Sequence, residues 1–152
     1  MTIEEKIASL GFNLPPTPKP VAAYVPAIAV GDLVFSSGQL PLVSGELAAK
    51  GKVGREVTKE QAYAAARICA LNALSAIKSV IGNLDRIERI VKVVGFVASA
   101  EGFTEQPHVI NGASEFLKEI FGNQGSHARS AVGVAELPLG AAVEVELIAK
   151  IK

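Results

Sequence analysis

The sequence predicts one α+β domain in which a single mixed sheet carries two helices on one face. Three observations support this fold class. Gly31-Asp32 joins two β-rich segments as a tight hairpin turn would. Segments 58–82 and 104–121 repeat apolar residues with a helical period, and the segments around them read as further strands. The predicted element order is β-β-α-β-α-β-β, and the 152 residues are the usual length of one domain.

Residues 1–20 are predicted to be a leader, and residues 21–152 the main domain. Thr2 suits the N-cap of a helix over residues 2–10, and Gly11 suits its left-handed exit. An extended connector then follows, because proline disfavours a helix. Its prolines are Pro15, Pro16, Pro18 and Pro20.

The first strand pair is predicted over residues 21–30 and 33–37, which places Tyr24 in the first strand. Residues 42–57 are rich in glycine and are predicted to be a loop, with a short edge strand as an option.

The first long helix begins at Thr58, because Thr58 and Gln61 have the spacing of a capping box, and it ends at Gly82. Its predicted buried face is Ala62, Ala66, Cys69, Ala73, Ile77 and Val80. Thr104 can cap the second helix, which runs to about Phe121. Its predicted buried residues are Val109, Ala113, Phe116 and Ile120.

A helical turn over residues 85–89 and an apolar strand over 90–98 are predicted between the two helices. The last part of the chain is predicted to be a second hairpin, with strands over 130–135 and 142–151 around a turn at 137–140.

Side chains alternate between the two faces of a strand. One parity of the C-terminal strands is expected to face the helices: Val132, Val134, Val143, Val145 and Leu147. The other parity is expected to bring Arg129, Glu144 and Glu146 to one face. The first hairpin is apolar on both faces, although the helices cover only one, so we expect self-association to cover the second. The alternative is that the leader alone covers it.

Composition excludes several classes of function. The net charge is zero and no basic run is present, which argues against nucleic-acid binding. No apolar run approaches the roughly 20 residues of a membrane span, and the N-terminus has no signal core, so no membrane role and a cytoplasmic location are expected. The single Cys69 and the two histidines show no ligand cluster, so no metal site is predicted. No phosphate loop and no glycine-rich dinucleotide fingerprint is present, so no other cofactor is predicted.

Three charged or titratable residues are candidates for a site. Arg129, at a strand entrance among small residues, can bind a carboxylate with two parallel hydrogen bonds or be an exposed loop residue. Glu144, in an otherwise apolar strand, can pair with Arg129, hold a water or face solvent. His127 can lie at a pocket rim, although a functional role is the less favoured interpretation.

The neutral candidates have equally plain alternatives. Tyr24 can wall a pocket or pack in the core. Ser37 and Gly38 offer backbone donors at a strand end or form an ordinary turn. Asn111 lies off the apolar stripe of its helix and can simply be exposed.

Two long motifs resemble the signatures of the RidA/YjgF family. The first is GDLVFSSGQLP at residues 31–41. The second combines ARS at 128–130, LPLG at 137–140 and VEVELIA at 143–149. The resemblance covers residues 20–152 and implies a chorismate-mutase-like fold and a homotrimer with clefts between subunits.

In deaminating members of that family, an arginine at the position of Arg129 binds the carboxylate of the substrate. Water then hydrolyses an enamine or imine derived from an amino acid, without a metal or organic cofactor. The resemblance gives Glu144 a place near that water. The remaining cleft positions it implies are Tyr24, Ser37, Gly38, Asn111 and Ala131.

The chain departs from active members at three places near the cleft, and its leader and the longer segment before the first long helix resemble a longer subgroup of the family. Ala22-Ala23 replaces their Gly-Pro, Ala131 replaces a cleft cysteine, and His127 replaces a proline. The arginine itself is kept as Arg129, so binding of a small carboxylate carries over from the family better than deamination does. Three functions are weighed: an enamine/imine deaminase, a non-catalytic binder of 2-oxo acids or related metabolites, and, as the least favoured, an endoribonuclease.

Overall fold

The computed structural model describes residues 1–17 and 23–152. A five-stranded mixed sheet carries two long helices on one face, which confirms the predicted α+β class and order of main elements. The helices are α1 (Ile3–Ser9), α2 (Lys59–Ile81) and α3 (Gln106–Phe121). The strands are β1 (Ala27–Val30), β2 (Leu33–Ser36), β3 (Leu42–Val43), β4 (Glu46–Leu47), β5 (Ile87–Ala98), β6 (Ala128–Val134) and β7 (Val143–Ile151).

The first hairpin has the predicted two-residue turn. Val30 pairs with Leu33, and Gly31 has φ of 62°, a conformation that costs glycine little. Strand β1 is shorter than predicted because it begins only after Pro26, whose carbonyl accepts a hydrogen bond from the Ser37 N–H. Tyr24 therefore lies in a bend before the strand, and its predicted place within the strand is wrong. Residues 18–22, including the start of the predicted strand, lie outside the described residues.

The C-terminal strands do not form a hairpin, so that prediction is wrong. The strand order is β1-β2-β7-β5-β6: β6 pairs with β5 in parallel, and β7 pairs antiparallel with the other edge of β5. Helix α3 provides the crossover that a parallel pair requires. The alternation of side chains along a strand shows which residues share a face, but not which neighbour the strand pairs with.

This topology places Arg129 and Glu144 on opposite faces of the sheet, which corrects the prediction that they share one. Arg129 pairs with Val93, which is buried under the helices. Glu144 pairs with Phe96 on the other side of the sheet, which we call the open face. Val132 and Val134 also lie on the open face, so the prediction that they face the helices is wrong, and Val132 is 44% exposed. The predicted burial of Val143, Val145 and Leu147 is confirmed.

Helix α2 begins as predicted. The Thr58 hydroxyl accepts from the Gln61 N–H, the Gln61 side chain accepts from the Thr58 N–H, and Gly82 ends the helix. Its predicted buried face is confirmed except at Val80, which is 40% exposed. By length and composition alone α2 could span a membrane, contrary to our expectation that no segment could, but most of it is buried in this fold.

Helix α3 begins at Gln106 rather than after a Thr104 cap. No side chain caps its first turn, where Pro107 has no N–H that needs a partner. The side-chain amide of Gln106 donates instead to the carbonyl of Phe103. The predicted buried residues of this helix are confirmed: Val109, Ala113, Phe116 and Ile120.

The described part of the leader lies against the helices. Thr2 caps α1 as predicted, and Phe12 packs edge-on against Phe116 with their ring centroids 5.2 Å apart. Further along, the Ser75 hydroxyl of α2 donates to the Pro15 carbonyl at 2.7 Å. Residues 1–17 therefore cover helices and not the open face, which contradicts the alternative that the leader alone covers that face.

The open face is largely apolar and lacks a second layer in the described part of the chain. Ile28 and Val30 of β1 are exposed there, and Phe35 and Phe96 are only partly buried. Ile28 and Phe35 are direct cross-strand neighbours, and Phe35 pairs in turn with Ile148 of β7, so these three side chains form a continuous apolar patch. Such a patch is typical of a surface that binds another protein chain.

Candidate functional site

Arg129 projects from edge strand β6 toward α3, where two side chains hold one end of its guanidinium. Its Nη1 donates to Asn111 Oδ1 at 2.8 Å and to Ser114 Oγ at 3.2 Å. Asn111 and Ser114 are three residues apart on α3, so they share one side of that helix. Within residues 1–17 and 23–152, no carboxylate forms an ion pair with Arg129. The guanidinium thus has fixed neutral partners and an unneutralised charge.

His127 extends this group of side chains. Its Nε2 lies 2.8 Å from Ser114 Oγ, and its Nδ1 lies 2.6 Å from the carbonyl oxygen of Gly125. We call Asn111, Ser114, His127 and Arg129 the arginine cluster. A surface depression of about 260 Å³ lies beside it, lined by Ser114, Lys118, Ser126, His127 and Arg129.

The surroundings of His127 favour its neutral form. Burial lowers the pKa of the ring below its usual value, and the positive charges of Arg129 and Lys118 lower it further, although the Gly125 carbonyl opposes them. Near pH 7 the ring is therefore neutral. It fits its place as a hydrogen-bonding group of the cluster and not as a second cation.

A second group of candidates meets where β2 ends and β7 begins. Gln39 forms a bridge with Val145, which brings Gly38 against the side chain of Glu144. A Cβ at position 38 would lie 2.9 Å from the Glu144 carboxyl carbon, so a larger residue would displace the carboxylate. The neighbouring Ser37 hydroxyl donates to the carbonyl of Val25 at 2.6 Å.

We call Ser37, Gly38 and Glu144 the glutamate cluster. Tyr24 adjoins it, one residue before the Val25 carbonyl that Ser37 binds, and is 56% exposed. Burial raises the pKa of Glu144 above its usual value, and the charge of Glu146 adds to this effect. The carboxyl is therefore held in surroundings that favour the protonated form.

One chain brings the predicted residues together in two groups, not one. Asn111, His127 and Arg129 meet on the helical side at the β6 edge, and Ala131 lies on the same face as Arg129, opposite Gly95. The glutamate cluster lies across β5 from them. Sequence reasoning missed Ser114, whose only signal is its spacing of three residues from Asn111, and it missed the steric reason for Gly38.

Replacing Glu144 by glutamine is expected to raise the unfolding temperature at pH 7. Because the folded-state pKa is raised, the ionised carboxyl costs stability at pH values above the folded pKa, and this cost vanishes below about pH 4.5, the value for the unfolded group. Thermal unfolding at pH 7 and pH 4 should show a gain only at the higher pH. Glu146→Gln makes the same chemical change on the same face. An equal gain in that control would contradict burial against Gly38 as the cause.

Metal-binding chemistry receives no support from the described residues, among which no three His, Cys, Asp or Glu side chains converge. Cys69 is buried, and burial raises the pKa of its thiol well above the usual value. The thiol is therefore a packing group and not a nucleophile.

Comparison with known proteins agrees with this architecture. Residues 4–151 match the model of the family described as "YjgF/chorismate_mutase-like, putative endoribonuclease". The chain belongs to the YjgF/RidA family. The motifs that resemble the signatures of this family, at 31–41, 128–130, 137–140 and 143–149, all lie within the matched residues.

Three relatives illustrate the range of the YjgF/RidA family. Protein TCP17 of Trypanosoma cruzi is 41% identical over 150 residues, covering 98% of this chain and 94% of its own. The crystal structure of Atu1372 from Agrobacterium tumefaciens is 45% identical, with a TM-score of 0.92, and covers 99% of this chain and 94% of its own. The crystal structure of Escherichia coli TdcF with bound serine is 27% identical, with a TM-score of 0.64, and covers 90% of this chain and 94% of its own.

Proposed function

We propose that this protein binds a small carboxylate metabolite and hydrolyses enamine or imine intermediates derived from amino acids. The observation that carries the proposal is the Arg129 guanidinium, which is held by neutral partners and lacks an ion-pair partner in residues 1–17 and 23–152. A half-buried cation arranged in this way is suited to an anionic ligand.

The shape of the guanidinium supports a carboxylate in particular. Asn111 and Ser114 engage only Nη1, so the other N–H groups remain available as a planar pair of donors. Such a pair matches the two oxygens of a carboxylate. TdcF, whose crystal structure contains bound serine, is consistent with a ligand of the amino-acid class in this family.

The complete site is proposed to form between copies of the chain. Arg129 and Glu144 occupy opposite faces of one sheet, so a ligand that touches both needs Glu144 from a neighbouring copy. The apolar open face supplies a surface for that assembly, and we propose a homotrimer. Tyr24, Ser37 and Gly38 would then line the cleft from the side of Glu144, and Asn111, His127 and Ala131 from the side of Arg129.

Hydrolysis in this cleft would proceed by addition of water to the imine carbon. Glu144 accepts a proton from the water while the C–O bond forms, and it returns a proton to the nitrogen. In the resulting carbinolamine, Glu144 takes the proton of the new hydroxyl and passes it to the amino nitrogen. The C–N bond then breaks as the C=O bond forms, ammonia leaves, and a 2-oxo acid remains. The raised pKa of Glu144 suits this double role because both protonation states are accessible closer to neutral pH. No cofactor enters this scheme.

Ammonia release from 2-aminoacrylate generated in situ tests the deaminase directly. We expect the purified protein to accelerate ammonia release over buffer, with pyruvate as the other product, and light scattering to show an assembly of three chains. A stable monomer, or an intact trimer with no acceleration, would contradict the proposed catalysis.

A non-catalytic binder is the second candidate, since the arginine cluster is complete within one chain while Glu144 lies on the other face. It predicts that pyruvate raises the unfolding temperature although 2-aminoacrylate is not turned over. RNA cleavage is not favoured, because the net charge is zero, both ring nitrogens of His127 have partners, and the ring of His108 packs at a tilt against Tyr63.

A further inference from the structure

We infer that Ser114 and His127 are positioning residues, which orient the Arg129 guanidinium through a directional chain of hydrogen bonds and thereby set its affinity for a carboxylate. This inference rests on the proposed function. It assigns His127, which lines the cleft, a role that acts through Ser114 on the ligand-binding guanidinium.

The direction of this series of hydrogen bonds follows from the groups at its two ends. The Gly125 carbonyl can only accept, so His127 Nδ1 carries a proton and donates to it. In the neutral ring, Nε2 is then an acceptor, and the Ser114 hydroxyl donates to it. That leaves the lone pairs of Ser114 Oγ for Arg129 Nη1, which can only donate. Each donor in this series of hydrogen bonds therefore has one acceptor.

This series of hydrogen bonds matters because the hydroxyl of a serine on a helix can also donate to the backbone of its own helix. Without His127 as acceptor, the Ser114 hydroxyl can donate to the carbonyl one turn earlier in α3, and its lone pairs would turn away from Arg129. Asn111 would then hold Nη1 alone, and the guanidinium could rotate. A ligand would have to restrict that rotation on binding, which lowers affinity.

Burial, and then the charges around His127, favour the neutral ring that this series of hydrogen bonds requires, because they lower the pKa of the ring. Lys118 from α3 and Arg129 from β6 both act against its protonation. Arg89 of β5 lies close as well, since its Nη2 donates to the carbonyl of Ser126 at 2.9 Å. Protonation would convert Nε2 into a donor, and the Ser114 hydroxyl would lose its acceptor.

Pyruvate binding by calorimetry tests the inference through a double-mutant cycle. Ser114→Ala is expected to weaken binding about fivefold to tenfold in the wild-type background, the worth of one hydrogen bond, while Ser114→Thr retains most of the affinity. In the Arg129→Lys background, Ser114→Ala should have little effect, because the planar group to be oriented is gone. Equal effects in the two backgrounds, with unchanged unfolding temperatures, would overturn the positioning role.

A second readout does not depend on any ligand. In ¹⁵N NMR spectra, the two Nη signals of Arg129 should be separate in the wild type, because the bonds to Nη1 slow rotation, and should merge in Ser114→Ala and His127→Phe. If the wild type does not bind pyruvate, the proposed function fails, and the spectra alone decide the positioning role. Spectra that are unchanged in both variants would overturn it.

Discussion

Replacing Arg129 by alanine is expected to weaken pyruvate binding by about 100-fold to 10,000-fold and to abolish ammonia release from 2-aminoacrylate. The variant loses two hydrogen bonds to a charged group, which contribute roughly 1.5–3 kcal/mol each. Arg129→Lys keeps the charge but not the planar pair of donors, so its affinity should be intermediate. Calorimetry and an ammonia assay measure both effects.

Arg55→Ala is the matched control for the loss of charge. Arg55 is exposed and pairs with its neighbour Glu56, so its removal should leave binding unchanged. Equal losses in the Arg55 and Arg129 variants would show a general effect of charge, and the specific role of Arg129 would be wrong.

Mixed assemblies of Arg129→Ala and Glu144→Gln chains distinguish a cleft between copies from a site within one chain. If each cleft takes its arginine from one copy and its glutamate from the next, random mixing of the two inactive variants should restore about a quarter of the clefts. If both residues act within one chain, mixing restores nothing. Denaturing and refolding the two chains together, followed by the ammonia assay, separates these outcomes.

Replacing Gly112 by alanine is expected to destabilise the fold by about 2–3 kcal/mol and to lower the unfolding temperature by roughly 5–10 °C. A Cβ at this position would lie 2.0 Å from the carbonyl oxygen of Tyr63 and 3.3 Å from the Ala66 Cβ, both on α2. The obstacle is helix backbone, so α2 and α3 would have to move apart.

The sign of this effect is informative, because alanine is favoured over glycine by about 1 kcal/mol in an unhindered helix. Glu119→Ala, at an exposed position of the same helix, should change stability by no more than about 0.5 kcal/mol. Thermal unfolding of the three proteins checks both statements. An unchanged or raised unfolding temperature in Gly112→Ala would contradict the close contact between the helices.

The local features of the fold could be predicted because the residues that cause them are neighbours in sequence. Thr58 and Gln61 specify the start of α2 through mutual hydrogen bonds over three residues. Gly31 specifies the first hairpin turn through its own backbone conformation. Arg129 stood out because a long cation lies among small residues.

The pairing of strands could not be predicted in the same way. Residues 130–135 and 142–151 have the pattern of a hairpin, yet β5 lies between them in the sheet. This pairing determines the geometry of the site, because Arg129 then lies on the helical side of the sheet and Glu144 on the open face. Ser114 contacts Arg129 only because the fold packs α3 beside β6.

The sequence alone determined the family of this chain and its helix and turn boundaries to within a few residues, and it singled out Arg129 as the candidate ligand-binding group. These depend on short-range hydrogen bonds and on motifs contiguous in the chain. The partner of each strand, the face of each side chain and the contacts that hold Arg129 required the folded molecule. They depend on the free energy of packing segments distant in sequence, which no local pattern encodes.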